Sequence, residues 1–345
     1  MSYLEQEIGE QPQVLARLVG EESARARSIA QAIERRAPQF VLIAARGTSD
    51  HAATYGKYLL AARCGLPVAL AAPSLFTIYK RPPRLQGALV VGISQSGSSP
   101  DIVEVVAEGR RQGAMTLGIT NDPQSPLGQT AEFCLPCHAG EERSVAATKT
   151  YTAQLTALAL VAVALSGDSG MWSELERLPE WVARALELAP HIQQRVERFR
   201  YMERCVLIGR GYNYATALET ALKLKELTYV VAEPYSSADF RHGPIAMVEP
   251  GFPVLMAAPS GAVYPDLVAL AEELRAREAE LVMISDQVQA LALAQTGLAL
   301  PESVPEWLSP VVAVVPGQLF AAALTRAKGY DLDRPRGLQK VTRTR

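Results

Sequence analysis

Glu219, Lys223 and Glu226 stand in the run Leu218-Glu219-Thr220-Ala221-Leu222-Lys223-Leu224-Lys225-Glu226-Leu227, and Arg241-His242-Gly243-Pro244 follows it. At about 100° per residue the three side chains fall within about 60° of one another on one helical face. An acid, a cation and a second acid in one stripe can move a proton, because a carboxylate beside a lysine in a sheltered place can serve as a general base. The plain alternative is a pair of surface ion pairs, each worth roughly 0.3–0.5 kcal/mol. Nearly every other residue of the run is Ala or Leu, with Lys225 the one further charge. The helix is therefore expected to be buried, with the stripe facing a polar cleft. His242 adds a group that titrates near neutrality; its plain reading is a turn histidine bonded to backbone.

A second chemistry-bearing segment is Gly92-Ile93-Ser94-Gln95-Ser96-Gly97-Ser98-Ser99-Pro100-Asp101. It reads as a strand end, a hydroxyl-rich turn and a helix starting near Pro100. Backbone N–H groups at a helix start, joined by several hydroxyls, suit a phosphate dianion. The segment is neither a Walker loop, lacking Gly-Lys-Ser/Thr, nor a GxGxxG dinucleotide turn. A serine here can also be only a helix cap, although serines at 94, 96, 98 and 99 exceed what one cap requires.

The elements that carry these residues are written twice. Phe40-Val41-Leu42-Ile43-Ala44-Ala45-Arg46-Gly47-Thr48-Ser49 and Cys205-Val206-Leu207-Ile208-Gly209-Arg210-Gly211-Tyr212-Asn213 share the grammar of an apolar strand, a glycine-bearing turn and a helix, which marks βαβ units of a parallel sheet. Arg-Gly recurs at 46–47 and 210–211, Ser-Gly at 96–97 and 260–261, and an aspartate turn at 122 and 286, each pair 164 residues apart. One offset kept three times argues for two copies of one α/β domain. Gly167, Gly170, Pro179 and Pro190 punctuate amphipathic sequence between the copies. Ligands of such sheets sit at the carboxyl ends of the strands, and there the copies differ: 257–263 lacks the serines of the first loop, while the second copy holds the Glu219 stripe and His242. One copy is expected to hold phosphate and the other to supply the chemistry.

Composition narrows the class. The 345 residues are 48% hydrophobic with a formal net charge of −2, which suits a globular protein with no electrostatic reason to seek nucleic acid. The start, Met1-Ser2-Tyr3-Leu4-Glu5, lacks a basic and apolar leader, and the longest apolar run, 155–165, is too short to span a bilayer. A cytoplasmic protein without a membrane partner is expected. Cys134-Leu135-Pro136-Cys137-His138 matches a haem-attachment pattern and half a zinc site, yet no second Cys pair exists and 132–135 reads as a strand, so reduced thiols are expected. No acidic or histidine cluster has metal-ligand spacing; no metal and no cofactor are expected.

From these residues the chain resembles the sugar isomerase (SIS) family, specifically the tandem-SIS isomerase portion of glucosamine-6-phosphate synthase and its free-standing deaminase relatives. The likeness runs from Glu7-Ile8-Gly9-Glu10-Gln11-Pro12 to Asp333-Arg334-Pro335-Arg336-Gly337-Leu338-Gln339-Lys340. It implies an α/β fold of two tandem SIS domains, each a parallel sheet flanked by helices in a flavodoxin-like three-layer sandwich. The expected order is a helical segment at 1–30, a first domain at 31–170 with the phosphosugar loop, a helical linker at 171–194, a second domain at 195–330 with the catalytic helix, and an active-site tail at 331–345. By the same resemblance Ser94, Gln95, Ser96 and Ser99, with Thr48 and Ser49, bind phosphate and sugar hydroxyls, and Val145 and Ala147 line the sugar. Glu226 is the base that moves a proton between sugar carbons 1 and 2, supported by Glu219 and Lys223. His242 matches a ring-opening histidine that reaches in from the neighbouring subunit, so a homodimer with a composite site is implied. Lys340 matches a tail lysine that forms a Schiff base with the open ketose; its plain reading is one more solvated tail charge.

Two departures bear on the sugar. Val145-Ala146-Ala147-Thr148-Lys149 has Ala147 where the synthases usually carry serine, and Ser74-Leu75-Phe76 has Leu75 where many relatives carry glutamate. The synthases draw ammonia from glutamine through a preceding domain with an N-terminal cysteine, which Met1-Ser2 does not offer, so no glutaminase activity is expected. The expected reaction is glucosamine 6-phosphate to fructose 6-phosphate and ammonia, on a hexosamine 6-phosphate or related phosphosugar. The alternatives are a deglycase for amine-linked fructose 6-phosphate and a phosphosugar-binding sensor without turnover.

Overall fold

The computed structural model describes residues 2–302 and 304–340. Residues 341–345, the end of the expected tail, lie outside the described residues, as do 1 and 303. The chain divides into two compact units. The first comprises Gln13–Glu142, Lys149–Arg177 and residues 339–340; the second comprises residues 2–12, Arg143–Thr148 and Leu178–Leu338.

The first unit is built on β1 (Phe40–Ala44), β2 (Val68–Leu70), β3 (Ala88–Ile93), β4 (Met115–Thr120) and β5 (Phe133–Pro136), all parallel, in the order β2-β1-β3-β4-β5. Strands covered on both faces must be apolar along their whole length, and every residue of β3 and β4 is buried. Pro136 stands on an edge strand, where a missing N–H does not break the ladder. The Lys149–Ser166 helix is buried from Lys149 to Val163 and packs on the Thr48–Cys64 helix, where Gly56 admits Leu158.

The second unit repeats the plan with β6 (Arg204–Gly209), β7 (Val231–Ser236), β8 (Pro253–Ala257), β9 (Glu280–Ser285) and β10 (Thr296–Ala299), again parallel, in the order β10-β9-β8-β6-β7. Counted within each unit, both sheets have the flavodoxin order 2-1-3-4-5. The strand starts 40 and 204 keep the 164-residue offset seen in the turns. The central Ser309–Ala327 helix packs on the Tyr214–Thr228 helix, where Gly317 lies against Thr220. Asn213, just before the latter helix, donates to Ser309 Oγ at 2.7 Å and accepts from Thr216 Oγ1 at 2.9 Å, which sets where it starts.

Among the described residues the Ser309–Ala327 helix is the one long and apolar enough to cross a membrane, and 83% of its window is buried inside the protein. The 155–165 run singled out from sequence lies in the other core helix. Both are apolar because each is the central helix of its own unit.

Candidate functional site

The Tyr214–Thr228 helix ends at Tyr229, whose φ of +59° takes the chain out of the helix. The second unit's tail docks there: the Arg336 N–H donates to the Tyr229 hydroxyl at 2.8 Å, and its guanidinium lies 4.0 Å over the ring. Along the helix, Lys223 Nζ stands 3.3 Å from Glu219 Oε1 and 2.5 Å from Glu226 Oε2. The side chains of Glu219 and Lys223 are 0% and 1% exposed, against 22% for Glu226. The plain reading as two surface pairs is thereby corrected: the ion triad is internal, and its one accessible member is Glu226. Burial works against the charge on Lys223, but the carboxylates of Glu219 and Glu226 more than offset it and hold the ammonium above the ordinary lysine value. Lys223 is thus a fixed cation between two acids.

Arg241 and His242 end the short Ser237–Arg241 helix that follows β7. Phe240 is buried and packs on Tyr235 at 5.5 Å. His242 itself is exposed, its backbone N–H donating to the Asp239 carbonyl at 3.1 Å. Gly243, at φ +134°, then turns the chain in a way side chains rarely permit.

In the first unit the serine loop leads from β3 into the Pro100–Arg111 helix. Ser99 occupies the cap position without making a side-chain cap bond; its hydroxyl lies 3.2 Å from the hydroxyl of buried Ser94. The Ser96 hydroxyl accepts from the Ser98 N–H at 3.3 Å. Gly97 is required at φ +62°, where a Cβ would lie 1.9 Å from Ser125 Oγ. Thr48 and Ser49 open the Thr48–Cys64 helix, and Gln154 donates to Ser49 Oγ at 3.0 Å. Behind the loop Arg46 pairs with the fully buried Asp101 at 2.7 Å.

One residue was missed from sequence. Glu142, buried, accepts from Gln95 Nε2 at 2.7 Å, from Lys340 Nζ at 2.8 Å and from the Thr150 N–H at 3.1 Å. Lys340 is therefore paired with an internal carboxylate and set beside the serine loop, which replaces the picture of a solvated tail charge. The signal lay in the doublet Glu141-Glu142 placed just ahead of a hydroxyl-rich helix start. Val145 and Ala147, both half-buried, lie in the Arg143–Thr148 stretch that clusters with the second unit. The cause is Glu7, whose buried carboxylate accepts from the Ser144 hydroxyl and the Arg143 N–H. Leu75 lies on the short Ser74–Thr77 helix, partly exposed.

The second unit's counterpart of the serine loop is closed from within. Ser260 donates through its N–H and hydroxyl to Asp286 at 2.7 and 2.5 Å. Asp122, the matching residue of the first unit, instead accepts from the Gln124 N–H at 2.9 Å. Among the described residues no group of three or more His, Cys, Asp or Glu side chains could hold a metal ion. All four cysteines are free, and His138 is tied to Glu22 at 2.7 Å and Glu21 at 3.2 Å.

The SIS domain model matches residues 37–164 and 199–325, one segment on each sheet. The chain belongs to the SIS domain family. Its fold is accordingly two tandem SIS domains. A glutamine–fructose-6-phosphate aminotransferase (isomerizing) of Thermus thermophilus is 36% identical over 352 residues, covering 98% of this chain and 58% of that protein. The chain thus spans little more than half the length of that relative. The C-terminal domain of glucosamine-fructose-6-phosphate aminotransferase from Francisella tularensis has a similar structure, with TM-score 0.90, 29% identity and coverage of 97% of this chain and 98% of that one. Glucosamine-6-phosphate deaminase from Thermotoga maritima shares the fold at TM-score 0.81 and 20% identity, covering 99% and 100%.

The SIS triad carries a stability prediction. Replacing Lys223 with Met leaves Glu219 with its cation gone in a closed interior, and breaking a buried pair on one side costs about 3–5 kcal/mol. Urea unfolding of Lys223→Met should show that loss, and Glu219→Met/Lys223→Met should cost less than Lys223→Met alone. Equal stabilities of all three proteins would mean that the triad is not electrostatically closed.

Proposed function

We propose that this chain is a glucosamine-6-phosphate deaminase of the SIS type, converting glucosamine 6-phosphate and water to fructose 6-phosphate and ammonia. The observation that carries the reading is the internal triad with Glu226 alone at the surface. Such a carboxylate, fixed by a cation behind it, can take a proton from a sugar carbon and return it to the next one. The serine loop supports a phosphate site, since its hydroxyls and the Pro100–Arg111 helix start offer donors to a dianion.

In this reading His242 opens the sugar ring. Glu226 removes the carbon-2 proton of the open amino sugar, leaving an enolamine, and its carboxyl, whose hydrogen exchanges with water in the meantime, gives a proton to carbon 1. The product is the 2-imine of fructose 6-phosphate. Water adds to carbon 2, the carbon–nitrogen bond breaks, and ammonia leaves. Lys340, after giving its proton to Glu142, which lies 2.8 Å from Nζ, adds to carbon 2 of the open ketose; the carbonyl oxygen leaves as water to give a Schiff base, which water hydrolyses to free the sugar. The names of the relatives, an isomerizing fructose-6-phosphate aminotransferase and a glucosamine-6-phosphate deaminase, support chemistry between these two sugar phosphates. Deamination needs only water as co-reactant.

Incubation with glucosamine 6-phosphate, its epimers and amine-linked fructose 6-phosphates, without glutamine, tests the assignment. Ammonia and fructose 6-phosphate should appear in equal amounts from glucosamine 6-phosphate. Release of a larger amine from the fructose adducts alone would make the chain a deglycase, and binding without turnover would make it a sensor.

The composite site is part of the same proposal, with His242 serving the Glu226 of a second copy. Mixed His242→Ala and Glu226→Gln chains should then regain activity. Half of the randomly reassorted dimers hold one intact site of two, so recovery should approach about a quarter of wild type. Demonstrated subunit exchange without recovery would return His242 to its own subunit.

A further inference from the structure

Asp266 joins three separate segments at the carboxyl end of the second sheet. It lies in the first turn of the Tyr264–Ala276 helix, which follows β8. Its Oδ2 lies 2.8 Å from Nη1 of Arg210, the residue after β6, and accepts from the hydroxyl of buried Ser237, at the start of the short helix after β7, at 2.5 Å. Its Oδ1 accepts from Arg241 Nη1 at 2.9 Å, and its backbone carbonyl accepts from Arg241 Nη2 at 3.2 Å. Arg241 is the residue immediately before His242.

The duplication shows which part of this arrangement the two units share. In the first unit Arg46 meets Asp101, and in the second Arg210 meets Asp266; the arginines are 164 and the aspartates 165 residues apart. The arginine–aspartate pair that ties the first strand to the helix after the third is thus common to both units. In the second the aspartate also grips Arg241, on the loop that bears the exposed histidine. The short Ser237–Arg241 helix is fixed on one side by Phe240 in the core and on the other by this two-point grip. Beyond it the chain turns at Gly243 into the short Pro244–Met247 helix.

We propose that Asp266 is a positioning residue: through Arg241 it sets the direction in which His242 is presented. This rests on the role proposed for His242. The carboxylate touches no reacting atom in this scheme and acts on the chemistry only through the loop. A histidine that must reach a sugar held elsewhere needs a defined direction, and a misplacement of about 1 Å can cost on the order of 100-fold in rate. In the proposed reading the phosphate is bound by the serine loop, so substrate binding should not depend on Asp266.

The test uses the full chain and two independent readouts. The first is kinetic: Asp266→Asn should lower kcat for glucosamine 6-phosphate by on the order of 10- to 100-fold with KM changed less than about twofold, and Asp266→Glu should restore part of the loss. Because both residues act through one contact, Asp266→Asn/Arg241→Gln should be no slower than the slower single variant. The second is the NMR signal of the histidine rings, of which the chain has four. In Asp266→Asn the His242 signal should shift or broaden while those of His51, His138 and His191 stay in place. If Asp266→Asn fails to fold, Arg241→Gln carries both readouts. An unmoved His242 signal, a loss confined to KM, or additive losses in the double variant would overturn the proposal. If the wild-type chain deaminates no sugar tested, the deaminase assignment falls, and the ring signals still decide whether Asp266 holds the loop.

Discussion

A lysine with no access to water, held between two carboxylates on one helix, is the constraint around which the second unit is arranged. The charge on Lys223 is stabilised inside the protein by Glu219 and Glu226, which lie against it at 3.3 and 2.5 Å. Removing Lys223 leaves Glu219 as a buried charge without this cation. The helix must therefore be gripped on its other sides, and it is. Gly317 lets the core helix approach Thr220, Asn213 ties the start to Ser309, and Tyr229 with Arg336 closes the end. What emerges at the surface is a single carboxylate of fixed direction.

The two units share one plan and differ in the polar groups at their strand ends. Both keep the parallel sheet and the arginine–aspartate tie behind it. In the second unit Asp286 occupies the amide and hydroxyl of Ser260, an internal anion where an external one would otherwise be attracted. In the first, Asp122 is turned toward its own loop and the serine hydroxyls face one another and the backbone. The proposed phosphate site is the serine loop of the first unit, while in the second unit Asp266 is tied to the histidine loop.

The local parts were legible in the sequence because local rules set them. Strands buried on both faces read as unbroken apolar runs, the offset of 164 residues survives in the turns, and the stripe of Glu219, Lys223 and Glu226 follows from helical spacing. What could not be read are contacts that need the chain to return on itself. Glu142 meets Lys340 from 198 residues away, and Glu7 meets Ser144 from 137; no periodicity connects such partners. Ser99 shows a subtler limit. It has the residue type and place of a helix cap, yet its hydroxyl lies beside Ser94, because in a loop with four serines residue type alone does not say which hydroxyl caps and which waits for a ligand.

The central claim is that Glu226 is the base at the end of the Lys223 triad, and deuterium exchange at carbon 2 of glucosamine 6-phosphate tests it most directly. An amide in place of the carboxylate keeps the size of the side chain and still accepts from Lys223, but it cannot take up a proton. Glu226→Gln should bind the sugar phosphate with nearly unchanged affinity and exchange the carbon-2 hydrogen with solvent about 10²–10⁴-fold more slowly than wild type. Exchange at the wild-type rate in that variant would contradict the claim and move the base to another residue.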